Sequence, residues 1–152
     1  MDQASGREDS NRSVVKVSLM LEGAKVPTRT TAGAGGYDLY SVESCFIHAT
    51  EQVVVSTGVA FALPDDIAGL IFSRSGLARR EDIEVFCGVL DSDFRGELKV
   101  MLRNKGNVTR KIEKGQRIAQ LLLVPVTTPD IIVVQHLTKT DRGSKGFGST
   151  GK

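Results

Sequence analysis

Apolar and polar residues alternate from Val14 to Leu21, and the alternation returns over Cys45–Ala49, Gln52–Ser56, Val59–Leu63 and Ile67–Phe72, each run bounded by Gly, Pro, Thr or Asp. A period of two places every second side chain on one face, so these runs predict short β-strands with one face buried. Ile83–Cys87 and Glu97–Leu102 alternate in the same way and flank the stretch Gly88 to Gly96, Gly-Val-Leu-Asp-Ser-Asp-Phe-Arg-Gly. That arrangement predicts a β-hairpin with Asp91 and Asp93 on one face. One more strand is expected over Ile131–His136, beyond the breaks at Pro125 and Pro129. Only Ser75–Arg80 suits a helical turn, because no segment sustains a 3.6-residue apolar period for the length of a normal helix. The fold class is therefore all-β, a sandwich or closed barrel with one short helical turn.

At 152 residues the chain suits one domain with a real core. Met1–Ser13 is polar and charged without an apolar stretch, and reads as a disordered tail rather than a secretory signal or membrane anchor. Residues 14–138 hold the strand pattern. From Lys139 the composition turns to Gly, Ser, Thr and charge, which cannot pack a core. The longest apolar run, Ile118–Val126, is broken by Gln120 and Pro125 and is far shorter than the roughly 20 residues of a membrane helix. No membrane partner is expected.

A formal net charge of +2 and 25% charged residues give no basic surface of the kind that grips nucleic acid or an anionic membrane, and leave a small anionic ligand open. Cys45 and Cys87 each sit in an apolar run and are not paired at metal spacing, so reduced, buried thiols in an intracellular protein are expected.

Chemistry concentrates where glycines meet ionic residues. The Asp-x-Asp-x-x-Gly of Asp91 to Gly96 begins like a calcium loop, but Arg95 replaces a needed oxygen ligand and Leu102 stands in place of the closing Glu. What remains is a carboxylate able to take a proton from water, or an ordinary solvated turn. Three other stretches mix tight glycine with ionic residues: Gly35 to Ser41 (Gly-Gly-Tyr-Asp-Leu-Tyr-Ser), Ser73 to Ala78 (Ser-Arg-Ser-Gly-Leu-Ala) and Gly115 to Leu121 (Gly-Gln-Arg-Ile-Ala-Gln-Leu). Each has a plain structural reading: Asp38 and Arg74 as an ion pair, Gln120 as an amide bonded to backbone, Ser75 as a helix cap. Gly146 to Lys152 spells Gly, four residues, Gly-Lys, yet the Ser or Thr and the helix of a phosphate loop do not follow. Phe147 among glycines, with Arg142 and Lys145 nearby, suits a flap over a flat anionic ligand. His48 and His136 are isolated strand residues.

In order and spacing, these four stretches and the tail resemble the five motifs of the homotrimeric dUTP diphosphatases (dUTPases), over Val14 to Gly151. The resemblance implies a distorted jelly-roll assembled as a homotrimer, with the third motif from one chain, phosphate-binding motifs from a second and the tail from a third completing each site. It implies hydrolysis of dUTP to dUMP and pyrophosphate by water attack at the α-phosphorus, which keeps uracil out of DNA and supplies dUMP. Asp38 would hold a hydrated Mg²⁺ through water, Arg74, Ser75 and Gly76 would contact the phosphates, and Gln120 would reach them. Cys87, Gly88, Val89 and Leu90 would receive uracil through backbone groups, and Asp91 would activate the attacking water. Phe94, where many members carry Tyr, would lie under the sugar and exclude a 2′-hydroxyl. Arg142 would bind the terminal phosphate, Phe147 would cover uracil, and Gly148, Ser149 and Thr150 would add phosphate contacts, residues 139–152 forming an arm that closes over a neighbour's site. A dCTP deaminase shares the fold, and a non-enzymatic adaptor is the alternative of another class. All five motifs and Asp91 in its setting favour the diphosphatase.

Overall fold

The computed structural model describes residues 14–144. Eleven strands and one helix follow in the order β1 (Lys16–Leu19), β2 (Tyr37–Tyr40), β3 (Cys45–Ile47), β4 (Gln52–Ser56), β5 (Val59–Ala62), β6 (Ile67–Phe72), α1 (Ser75–Glu81), β7 (Ile83–Cys87), β8 (Val89–Leu90), β9 (Lys99–Asn104), β10 (Arg110–Ile112) and β11 (Arg117–Pro125). The all-β expectation holds, and the short helix falls where the helical turn was expected. β2 and β10, of four and three residues, are too short to show a period and were not expected as strands.

The strands form four small antiparallel sheets, β1-β5, β10-β3, β4-β9-β7 and β2-β11-β6-β8. Alternation supplies the core. In β9, Val100, Leu102 and Asn104 point inward while their neighbours do not, and Leu39, Ile47, Val55, Ile83, Ile112 and Leu121 close around them. β11 buries both Ile118 and Ala119, because its pairing with β2 shifts register between Arg117 and Ala119. A bulge of this kind puts two consecutive side chains out of strict alternation. Asn104 is fully buried and satisfied: its Nδ2 donates to Ile47 O at 3.0 Å and Val108 O at 2.8 Å, and its Oδ1 accepts from Gly106 N at 2.9 Å.

Two expectations are corrected. β7 and β9 pair, Ile83 with Asn104 through Cys87 with Met101, but the segment between them is not a tight hairpin turn. Val89 and Leu90 leave that sheet and pair with Leu70 and Gly69 of β6. Asp91 and Asp93 follow in an irregular turn closed by Phe94 N to Asp91 O at 3.3 Å, so the rule that alternate residues share a strand face does not place them together. The second correction is Ile131–His136, which forms no strand. Ile131 and Val133 are 95% and 99% exposed; β propensity without a partner edge makes no ladder, since pairing is what stabilises a strand. No helix among the described residues is long and apolar enough to cross a membrane.

Candidate active site

The sheet β2-β11-β6 brings the first, second and fourth motifs together. Asp38 on β2 lies opposite Gln120 on β11, and Gln120 lies opposite Phe72, the last residue of β6, from which the chain passes through Ser73 to Arg74. Asp38 is only 8% exposed, and the hydrogen bonds to its carboxylate come from a hydroxyl and two guanidinium groups. Its Oδ1 accepts from Arg74 Nε at 3.0 Å, and its Oδ2 accepts from Thr30 Oγ1 at 2.9 Å and Arg117 Nη1 at 3.1 Å. Burial alone pushes the Asp38 carboxyl up, but hydrogen bonds from Thr30 and Arg117 and the charges of Arg74 and Arg117 outweigh it and hold the group below the usual carboxylate range. Two guanidinium charges against one carboxylate leave the cluster net positive. Arg74 spends its Nε on Asp38, so its terminal nitrogens remain as anion donors.

The plain structural readings fare differently. Asp38 and Arg74 are indeed an ion pair, and Gln120 Nε2 does donate to a backbone oxygen, Ser73 O, at 3.1 Å. Ser75 is not the helix cap: Arg74 occupies that position, with no side-chain cap bond, and Ser75 begins the helix exposed. The Ser73 hydroxyl, in contrast, is used in the fold, accepting from Val85 N at 2.7 Å. A Cβ at Gly76 would meet nothing within 4 Å among the described residues beyond its own helix backbone and chain neighbours.

The third motif builds a separate feature. Gly88, Val89, Leu90, Asp91 and Phe94 line an open pocket of about 340 Å³ whose far wall is Val54, Ile71, Leu98 and Met101. Gly88 is required there, because a Cβ would come within 2.5 Å of Ile71 Cβ and 2.8 Å of Ile71 O. Close approach also lets Ile71 N donate to Gly88 O at 2.8 Å. Glu97 and Lys99 also line the pocket, so the β7–β8 crossing sits beside a largely apolar slot that carries two carboxylates and an ammonium, a mixture that suits a flat heterocycle with polar edges. Cys87 closes β7 opposite Met101.

Asp38, Arg74, Ser75 and Gln120 do not line this pocket. Within one chain the sequence-expected residues thus form two groups, phosphate-type donors on one and the Asp91 slot on the other. Arg142 lies on an exposed stretch next to the turn that Gly143 N makes to Thr140 O, and it bonds to neither group among the described residues. Phe147, Gly148, Ser149 and Thr150 lie outside the described residues, as do 1–13. Thr30 and Arg117 were not assigned a role from sequence. Arg117 sits inside a quoted motif and its charge was the available signal; Thr30 reaches Asp38 only because Thr28 bridges Asp38 across chain segments, which no local pattern reveals.

No cluster of three or more His, Cys, Asp or Glu residues that could hold a metal occurs among the described residues. Three donors already occupy most of the accepting capacity of Asp38, so any metal there would be held through water on what remains of Oδ1 rather than by a protein cage.

A model of the dUTPase family matches residues 22–151. The chain is 47% identical over 139 residues to the deoxyuridine 5'-triphosphate nucleotidohydrolase of Paramecium bursaria Chlorella virus 1, covering 91% of this chain and 99% of that protein. Among solved structures it is similar to the dUTPase of Staphylococcus bacteriophage 80alpha with dUPNHPP, at 29% identity and a TM-score of 0.86, covering 91% of this chain and 99% of that one. It is also similar to a mutant dUTPase of phage phi11 of S. aureus that reveals the coordination of a structural Mg(II) ion, at 26% identity and a TM-score of 0.79, covering 83% and 99%.

Proposed function

Since the chain belongs to the dUTPase family, we propose that it hydrolyses dUTP to dUMP and pyrophosphate by water attack at the α-phosphorus, at sites shared between the chains of a homotrimer. The observation that best supports this reading is the pocket beside the β7–β8 crossing, where Asp91 lines the same slot as Gly88, Val89 and Leu90. Uracil enters that slot and pairs with backbone groups of Cys87 to Leu90, while Phe94 lies under the deoxyribose. Asp91 accepts a proton from water, the water oxygen bonds to the α-phosphorus, and the bond to the bridging oxygen breaks, releasing pyrophosphate. General-base help of this kind is worth about 10²- to 10⁴-fold.

Arg74, Ser75, Gly76 and Gln120 hold the phosphate chain, and Arg142 with Gly148, Ser149 and Thr150 closes on it as Phe147 covers the base. Mg²⁺, when bound, neutralises phosphate charge, and Asp38 is the residue that would hold it through water. Fixed donors aimed at developing charge are the usual source of such stabilisation. The separation of the Asp91 slot from the Asp38 cluster supports a site completed by a second copy, and so does the exposed apolar run Ile131, Ile132 and Val133, which is left uncovered in one chain. Physiologically the reaction keeps uracil out of DNA and supplies dUMP for thymidylate.

Pyrophosphate release from dUTP, dCTP, dTTP and UTP, each with Mg²⁺ and with EDTA, tests the proposal. Metal-dependent release from dUTP alone is expected. Release from none of them would move the reading to a nucleotide-binding adaptor, and ammonia from dCTP would move it to a deaminase.

A further inference from the structure

Gly96 has no backbone reason to be glycine. Among the described residues the glycines with a left-handed φ are Gly23, Gly58, Gly115 and Gly143, and Gly96 is not one of them. What occupies the space of its missing Cβ is a side chain: a Cβ there would stand 2.7 Å from Phe94 Cζ and 3.1 Å from Phe94 Cε2. The ring of Phe94 thus folds back onto the next-but-one residue and rests on its bare backbone. The backbone beneath is held by Arg95, whose Nη1 donates to Ser92 O at 2.6 Å and to Phe94 O at 3.1 Å. The ring is about half exposed and lines the pocket that holds Asp91. A methyl at position 96 would therefore displace the ring and leave the turn in place, in contrast to Gly88, where a Cβ would meet the Ile71 backbone.

We propose that Gly96 is a specificity-determining positioning residue: it is the seat that sets the height of the Phe94 ring under the sugar and so the discrimination between deoxyribose and ribose nucleotides. The inference rests on the reading of Phe94 as the floor of the sugar site. Carbon atoms in contact settle about 3.5–4.0 Å apart, so a Cβ at 96 shifts the ring tip by about 1 Å. Displaced from its seat, the ring no longer closes against the 2′-position and leaves room for a 2′-hydroxyl, so UTP gains relative to dUTP and the ratio falls.

The test is the ratio of kcat/KM for dUTP over UTP in the wild type, Gly96→Ala, Phe94→Ala and the double variant. Gly96→Ala is expected to lower the ratio about tenfold, the low end of what one misfitted methyl-sized contact costs in discrimination. Phe94→Ala is expected to lower it further, and the double variant to match Phe94→Ala alone, because two residues acting through one ring are not additive. An unchanged ratio in Gly96→Ala beside a lowered one in Phe94→Ala overturns the role of Gly96 and leaves that of Phe94 standing. An unchanged ratio in Phe94→Ala removes the reading on which both rest. Should Gly96→Ala fail to fold, recovery of folding in the double variant supports the ring as the occupant of that space, and continued misfolding overturns it.

Discussion

Arg74 Nε donates to Asp38 Oδ1 across 3.0 Å, tying the residue before α1 to the middle of β2. Arg117 holds the other oxygen from β11 at 3.1 Å. These contacts and the Thr30 hydroxyl keep the folded-state pKa of Asp38 below its ordinary value of 3.8, against the upward push of burial. A depressed carboxylate pKa contributes stability that is fully present above the unfolded value and is lost as pH falls through the folded one. Urea titrations from about pH 7 to about pH 3 should therefore show the wild type losing stability relative to Asp38→Asn on acidification. A difference that stays level across that range would mean the carboxylate has ordinary acidity in the fold.

Asp91 lines the pocket rim and is exposed. Replacing it with Asn keeps the shape and removes the proton acceptor. Turnover should fall by at least about 10²-fold, with equilibrium binding of a non-hydrolysable dUTP analogue nearly intact. Lost binding, or turnover that survives, would speak against water activation.

Gly88→Ala sets a Cβ 2.5 Å from Ile71 Cβ and 2.8 Å from Ile71 O, where neither partner is a flexible side-chain end. Overpacking of this kind costs about 1–3 kcal/mol, and the β7–β8 crossing must move with it. Chemical denaturation and analogue binding should both report the loss. Wild-type affinity in this variant would show that the crossing does not carry the base.

Truncation after Lys139 removes Arg142 and Phe147 but none of the eleven strands, the last of which ends at Pro125. The shortened protein should remain folded by circular dichroism and release pyrophosphate poorly. Undiminished release would show that the tail is not part of the site.

Removal of Mg²⁺ with EDTA should abolish turnover and leave the fold intact, since no described cluster of metal-ligating side chains depends on a cation for its structure. A large drop in thermal stability in EDTA would point to a structural metal instead.

Local features carried most of what the amino-acid order determined by itself. The period of two in β4, β6 and β9, the turn at Pro64 where Ile67 N meets Pro64 O at 3.0 Å, and the short helix at Ser75 are each decided within a few residues. The all-β class followed from them, and the residues with chemical potential, Asp38, Arg74, Asp91 and Gln120, were legible as polar groups beside glycines. Tertiary structure decided which of these meet. Thr30 reaches Asp38 through a bridge between two neighbouring segments that no strand pattern joins, β8 abandons its expected hairpin for β6, and Ile131–His136 fails to become a strand although its composition favours one. In each case the outcome turns on whether a partner segment is at hand, and the free energy of strand pairing and burial depends on the partner that chain topology brings alongside.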